Sequence, residues 1–168
     1  MPTQDWGDNV RIEYLGDNEA LIPTLARWHY EEWRHLNPDK TIEQYIARLY
    51  SHVGRKRIPT TFVALSGGIL LGSSSLVACD MDIHRDLSPW LASLYVFPIY
   101  RSRGVGSALV HRVIKEAEAL DVETLYVFTP DREGFYIRLG WSTFERTEYR
   151  GYKAAIMALE LIPPHMAA

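Results

Sequence analysis

The 168-residue chain has a single cysteine, Cys79. One thiol excludes an internal disulfide, and with it the cross-linked framework of a small secreted scaffold. The expectation is a reducing compartment and a cytoplasmic location. Cys79 closes the apolar run Leu76–Cys79 and is expected to be a buried structural thiol. Long hydrophobic runs are lacking too: none approaches the roughly 20 apolar residues of a membrane-spanning helix. Nor is there an excess of positive charge. The 18 Lys and Arg against 21 Asp and Glu leave a net charge of -3, so the basic footprint of a nucleic-acid binder is missing. No Gly/Ser/Pro-rich linker or internal repeat divides the chain, and its length suits one domain over residues 1–168. Met1–Trp6 has no basic region followed by an apolar stretch, so no signal peptide is expected.

What is present is the composition of an ordinary globular protein, 47% hydrophobic and 23% charged. Val10–Leu15 reads as a short first strand. Asn18 can cap a helix reaching about Leu36, with Ile22, Ala26, His29, Trp33 and Leu36 recurring at helical spacing as its buried stripe. Trp28 and Tyr30 point off that stripe and are the better candidates for a pocket wall. Thr41 can cap a second helix, with Ile42, Tyr45, Ile46 and Leu49 on one face and Gly54 as its stop. Thr60–Leu65 and Ile69–Ala78 read as a hairpin joined by Ser66-Gly67-Gly68. An irregular acidic stretch runs from Asp80 to Pro89. Leu91–Phe97 has the apolar character of a central strand. Gly104–Leu120 is the longest expected helix, Thr124–Phe128 another strand and Phe135–Leu139 a short helix. Trp141–Tyr149 and Lys153–Leu161 close the chain as a pair turning at Arg150-Gly151. The order β, α, α, β, β, β, α, β, α, β, β makes an α+β protein, a mixed sheet with helices packed on it.

The segment that carries chemistry is Leu94-Tyr95-Val96-Phe97-Pro98-Ile99-Tyr100-Arg101-Ser102-Arg103-Gly104-Val105-Gly106-Ser107-Ala108-Leu109. A strand ends at Pro98, an Arg- and Gly-rich loop follows, and a helix begins. The first N–H groups of a helix have no partner within it and carry the positive end of its dipole, so they form an anion site. Gly104 and Gly106 allow close backbone approach, and Arg101 and Arg103 add positive charge. Pyrophosphate is the ligand that needs this arrangement. A nucleotide P-loop would require Gly-x-x-x-x-Gly-Lys-Ser/Thr, which is absent. A dinucleotide fingerprint would require a third glycine where Leu109 stands.

The string Arg101-Ser102-Arg103-Gly104-Val105-Gly106 resembles the Arg/Gln-x-x-Gly-x-Gly/Ala acetyl-CoA loop of the GNAT acetyltransferases. Phe135-Tyr136-Ile137-Arg138-Leu139-Gly140-Trp141 resembles a second segment of that family and follows a strand as it does there. The resemblance is specific from Trp90 to Trp141 and loose elsewhere. It implies a three-layer α/β/α fold with a mixed, mostly antiparallel sheet, splayed between the fourth and fifth strands. It implies acetyl-CoA as co-substrate, with no metal. Backbone groups of Leu94, Tyr95 and Val96 would pair with the pantetheine arm, and those of Arg101, Ser102, Arg103, Gly104, Val105, Gly106 and Ser107 would hold the pyrophosphate. Thr129 and Asp131 stand where many relatives carry Asn, at a further cofactor contact. Tyr136 occupies the family's general-acid position. A phenol of pKa about 10 can protonate a departing thiolate of pKa about 8.5.

An alkyl ammonium must also lose a proton before it can attack, and Glu32, Asp86 and His84 are the candidates for that base. The alternating acids of Asp80-Met81-Asp82-Ile83-His84-Arg85-Asp86 look faintly like a calcium loop, but Arg85 and Leu91 stand where Gly and Glu are required. An acidic wall for a cationic acceptor is another reading of the same stretch. Arg55-Lys56-Arg57 can reach a CoA phosphate or be a solvated turn. The expected activity is N-acetylation of a primary amine of a small molecule by direct attack in a ternary complex. A protein or peptide acceptor is the alternative, and a non-catalytic acetyl-CoA sensor is an alternative of another class. The expected partners are the acceptor alone, with no nucleic acid or membrane, in a monomer or homodimer.

Overall fold

The computed structural model of the chain describes residues 9–161; Met1–Trp6 lies outside them. The strands are β1 (Arg11–Tyr14), β2 (Thr60–Ser66), β3 (Ile69–Val77), β4 (Trp90–Val96), β5 (Thr124–Thr129), β6 (Ser142–Tyr149) and β7 (Tyr152–Glu160). The helices are α1 (Ile22–Trp33), α2 (Ile42–Tyr50), α3 (Val105–Ala119) and α4 (Glu133–Arg138). Their order is the one expected from the sequence. The seven strands form one sheet in the order β1-β2-β3-β4-β5-β7-β6. All neighbours are antiparallel except β4 and β5.

Period-two alternation along β2 sorts the two helical layers. Phe62 and Ala64 face α3, beside Val105, Leu109, Val110 and Val113. Val63 and Leu65 face the opposite way, against Ile22, Leu25 and Ala26 of α1 and Tyr45 and Leu49 of α2. Tyr136 of α4 and the following Trp141 join the α3 face. Burying each such large apolar side chain contributes about 1.5–3 kcal/mol.

Local chemistry explains most boundaries. Thr41 caps α2 through a capping box: its hydroxyl accepts the Gln44 N–H, and the Gln44 side chain accepts the Thr41 N–H. Gly67 and Gly68 both have positive φ, as does the Arg150-Gly151 pair, and each pair turns a tight hairpin. Two boundaries differ from expectation. Asn18 does not cap α1; its amide donates to the Tyr14 carbonyl, and a 3-10 turn, Glu19–Leu21, intervenes. Both helices stop early. α1 ends at Trp33, not Leu36, and α2 ends at Tyr50, four residues before Gly54. Cys79 is exposed rather than buried: β3 ends at Val77, so the thiol falls on the loop beyond it and its Sγ donates to the Met81 carbonyl.

β3 is unusual in burying three serines in succession, Ser73, Ser74 and Ser75. Each hydroxyl is paired, as buried polar groups must be. Ser74 donates to the Leu109 carbonyl, Ser75 pairs with Thr61, and Ser73 donates to the Ser93 carbonyl of β4.

Candidate active site

β4 and β5 register at Trp90 opposite Tyr126 and then part. Beyond that point, Leu94, Tyr95 and Val96 of β4 face Val127, Phe128 and Thr129 of β5 across a cleft of about 1120 Å³. β4 is itself irregular there. Ser73 pairs with Tyr95 and Ser75 with Ala92, so one β3 residue lies opposite two on β4. Ser93, at this bulge, has a left-handed φ of 51°. Such a backbone is held only where its surroundings fix it. Here the Ser73 hydroxyl donates to the Ser93 carbonyl at 3.2 Å, and the buried His29 ring contacts Ser73 Oγ at 2.8 Å. The serine proton is committed to Ser93, so Nε2–H of His29 is the donor to Ser73. Burial pushes His29 down to about 3, so the ring stays neutral and keeps this role.

Beyond Val96 the chain makes a 3-10 turn at Pro98–Tyr100 and reaches Gly104, whose left-handed φ of 84° starts α3. The first intrahelical bond at this end runs from the Ala108 N–H to the Gly104 carbonyl. The N–H groups of Val105, Gly106 and Ser107 therefore have no partner within the helix. A Cβ on Gly104 would meet no neighbouring atom within 4 Å, so the backbone there is open to approach. Arg101, Ser102, Gly104, Gly106 and Ser107 line the cleft. Arg101 also folds back, its Nε donating to the Val96 carbonyl at 2.7 Å. Val105 and Arg103 are not among the lining residues, and the Val105 side chain is buried in the core. A splayed strand pair leading to an exposed helix N-terminus fits a long ligand with a pyrophosphate in its middle. Thr129 and Asp131, at the end of β5, line the same cleft.

Two titratable groups of different kind line the same cleft. Tyr136, 4% exposed, lines the cleft from α4. Burial raises its pKa well above the ordinary phenol value, and the charge of Asp80 raises it further. Asp80, just past the end of β3, has a side chain 18% exposed and lies 3.8 Å from the Arg48 guanidinium. Burial pushes its carboxyl up to about 7, against the lowering pull of Arg48, Lys40 and Arg150.

The bases expected from the sequence separate in space. Glu32 lines the cleft, but Asp86 does not. His84 also lies off the cleft lining and is engaged with Glu145 at 2.6 Å. The acids of the Asp80–Asp86 stretch do not converge: Asp80 pairs with Arg48, while Asp82 pairs with Arg150. Among the described residues no group of three or more His, Cys, Asp or Glu could hold a metal ion. Trp28 and Tyr30 do not form the pocket wall. Trp28 stacks on Phe97 and Tyr30 packs edge-on to Tyr45, while Trp33 lines the cleft. Arg55 is drawn to Asp17, away from the cleft.

The sequence profile of the acetyltransferase (GNAT) family matches residues 21–141, which include both the loop and Tyr136. The chain belongs to the GNAT family. It is thus an acyltransferase that uses acetyl-CoA, and its sheet, split at β4 and β5, is the GNAT fold. No curated protein matches the sequence significantly. Among solved structures, an aminoglycoside 6'-N-acetyltransferase complexed with coenzyme A is similar with a TM-score of 0.70 and 16% identity, over 91% of this chain and 98% of that one. The protein yncA of Salmonella typhimurium, with its cofactor acetyl-CoA, gives 0.68 and 17%, over 95% and 97%. An acetyltransferase from Streptococcus agalactiae gives 0.67 and 20%, over 91% and 99%. Among the described residues of this GNAT chain, no helix is long and apolar enough to cross a membrane.

Sequence reasoning missed Asp80 as a buried acid of the cleft, Trp33 as a wall and Ser73 as a support. Only for Asp80 was there a signal: it is the first acid after an apolar strand, and so the one nearest the core.

Proposed function

We propose that the protein is an N-acetyltransferase that moves the acetyl group of acetyl-CoA to a primary amine of a small molecule, with Asp80 as general base and Tyr136 as general acid. The observation that carries this reading is that the two groups line one cleft, with proton affinities set far apart by their surroundings. Such separation is how a site divides acid from base work.

The chemistry balances as follows. The acceptor enters as an ammonium ion, and the Asp80 carboxylate takes one of its protons. The nitrogen attacks the thioester carbonyl carbon, forming the C–N bond. Backbone N–H groups at the β4 bulge face the oxygen on which negative charge develops, where fixed donors are most effective. As the C–S bond breaks, the phenol of Tyr136 donates its proton to sulfur. The second proton shed by nitrogen restores that phenol, and Asp80 returns its own proton to solvent. The two groups are coupled. Protonation of Asp80 removes the smaller of the two influences that raise Tyr136, burial being the larger, so the phenol becomes a somewhat stronger acid after the amine has been activated.

A small-molecule acceptor is supported by the aminoglycoside acetyltransferase that shares the fold. The test joins a melting curve to a thiol-release assay. Acetyl-CoA should raise the melting temperature of wild type and Tyr136→Phe equally, by binding the native state. Thiol release with amines should fall about 10²-fold in the variant. Unchanged turnover in Tyr136→Phe would remove the acid from the mechanism.

A further inference from the structure

We propose that the acceptor amine carries an anionic group, which seats on Lys40, Arg48 and the Tyr45 hydroxyl beside Asp80. This rests on the acetyltransferase reading and narrows its substrate class.

The cleft beside Asp80 is lined by three cations, Lys40, Arg48 and Arg150. Arg150 is spent on structure: it pairs with Asp82 and donates to the Leu36 carbonyl at 2.9 Å and to the Asn37 side chain. Arg48 is not. Its contact with Asp80 at 3.8 Å is longer than a hydrogen bond. Among the described residues, the Lys40 ammonium has no hydrogen bond or ion pair. It is lowered by partial burial first, and then by the charges of Arg48 and Arg150.

Tyr45 gives the independent sign of a ligand. The residue is 6% exposed, lines the cleft, and leaves its buried hydroxyl without a hydrogen-bond partner. A buried donor left unmade is costly, and folded proteins rarely leave one without a partner. Nearby Asn37 acts on Tyr45 electrostatically but makes no hydrogen bond to the hydroxyl; one of its amide hydrogens goes to the Trp33 carbonyl and its oxygen accepts from Arg150. Two cations and an unsatisfied hydroxyl on one wall call for an acceptor of three hydrogen bonds, which is an anion.

The pyrophosphate does not fill this place. Its loop leaves β4 after Val96, whereas Asp80 follows Val77, which pairs with Trp90 at the other end of β4. The six residue steps from Trp90 to Val96 span roughly 20 Å. The second anion therefore belongs to the acceptor. Because Asp80 stands in the same wall, the amine it deprotonates and that anion lie in one small molecule. A polycationic acceptor would bring further positive charge against Lys40 and Arg48. Of the other acids that line the cleft, Asp82 is paired with Arg150, Asp131 lies past the end of β5, and Glu32 acts on Tyr95.

The test is thiol release from acetyl-CoA with matched amines: the standard amino acids against their carboxamides, O-phosphoethanolamine against ethanolamine, and a polyamine and an aminoglycoside as cationic probes. The anionic member of a pair should be favoured at least about 10-fold in kcat/KM, and the pair that shows this tells carboxylate from phosphate. Lys40→Met, Arg48→Met and Tyr45→Phe should each raise KM for that substrate about 10-fold and leave KM for acetyl-CoA unchanged. Equal or better rates with the carboxamides or the cationic amines would overturn the proposal while leaving the acetyltransferase reading intact. Variants that shift KM equally for both members of a pair would overturn it too. Thiol release from no amine at all would overturn both readings.

Discussion

Glu116 and Asp80 are both carboxylates with little exposure, and the protein treats them in opposite ways. Glu116, 3% exposed on α3, accepts from the Tyr14 hydroxyl at 2.7 and 2.9 Å, from the Lys56 N–H at 3.1 Å and from Arg112 at 3.3 Å. Its oxygens are saturated, and it lies outside the cleft lining. Asp80 has one cation at 3.8 Å, no hydrogen bond to its carboxylate among the described residues, and an open cleft before it. A buried charge with a full set of donors ties elements together, here β1, α3 and the segment before β2. One that is desolvated but unsatisfied holds its proton more tightly and is ready to exchange it. The difference lies in the number of donors, not in depth.

The strongest way to break this comparison is Asp80→Asn. Turnover at pH 7 should fall about 10²–10⁴-fold, the ordinary worth of a placed base, while the melting shift with acetyl-CoA persists. In wild type kcat/KM should climb as pH rises through about 7, and the variant should lose that limb. Stability should move the other way. The folded carboxyl binds its proton up to about 7, whereas the unfolded one gives it up near 3.8. The wild-type protein thus loses stability as pH rises between those values, and Asp80→Asn should melt higher than wild type at pH 8. A variant that melts lower at pH 8 and keeps its activity would make Asp80 a second Glu116.

Glu116→Ala should give the converse result. Removing one acceptor strands the Tyr14 hydroxyl, the Lys56 N–H and Arg112, a loss of about 3 kcal/mol. For a chain of this length that lowers the melting temperature by roughly 6–12 °C. Steady-state kcat measured well below the transition should change less than about two-fold. A large loss of kcat with a normal melting curve would place Glu116 in the mechanism instead.

Tyr14→Phe is the smallest test. It removes one of the donors on Glu116 and keeps the ring packed on Phe62 at 5.1 Å. The expected cost is about 1–2 kcal/mol in denaturant unfolding, with no change in activity. A cost equal to that of Glu116→Ala would mean that this one bond, rather than the full set, holds the carboxylate.

The loop between β4 and α3 was legible because its chemistry is local. A proline after a strand, glycines at a helix start and arginines beside them fall within a few residues, and each acts through the backbone it occupies. Tyr136 was legible for the same reason, as part of a contiguous string. The strands and hairpins followed from alternation and from Gly-Gly and Arg-Gly turns. Trp33 was assigned to the core on helical spacing alone. Spacing marks a face of α1 but not what covers it, and that face ends at the cleft rather than under the sheet. The errors at Cys79 and Asn18 are of the same kind. Where β3 stops and which carbonyl an amide side chain reaches depend on neighbours far along the chain.

The sequence by itself determined the order of elements, the family and the Arg- and Gly-rich loop before α3, since these rest on periodicity and on contiguous residues. Only the tertiary structure decided which acid is buried in the cleft wall, what supports the β4 bulge and where Lys40 and Arg48 gather. Asp80 stands 32 residues from Arg48 and 56 from Tyr136, and His29 stands 44 from Ser73 and 64 from Ser93. A proton affinity is set by burial and by charges that folding brings near, and neither has a position in the chain.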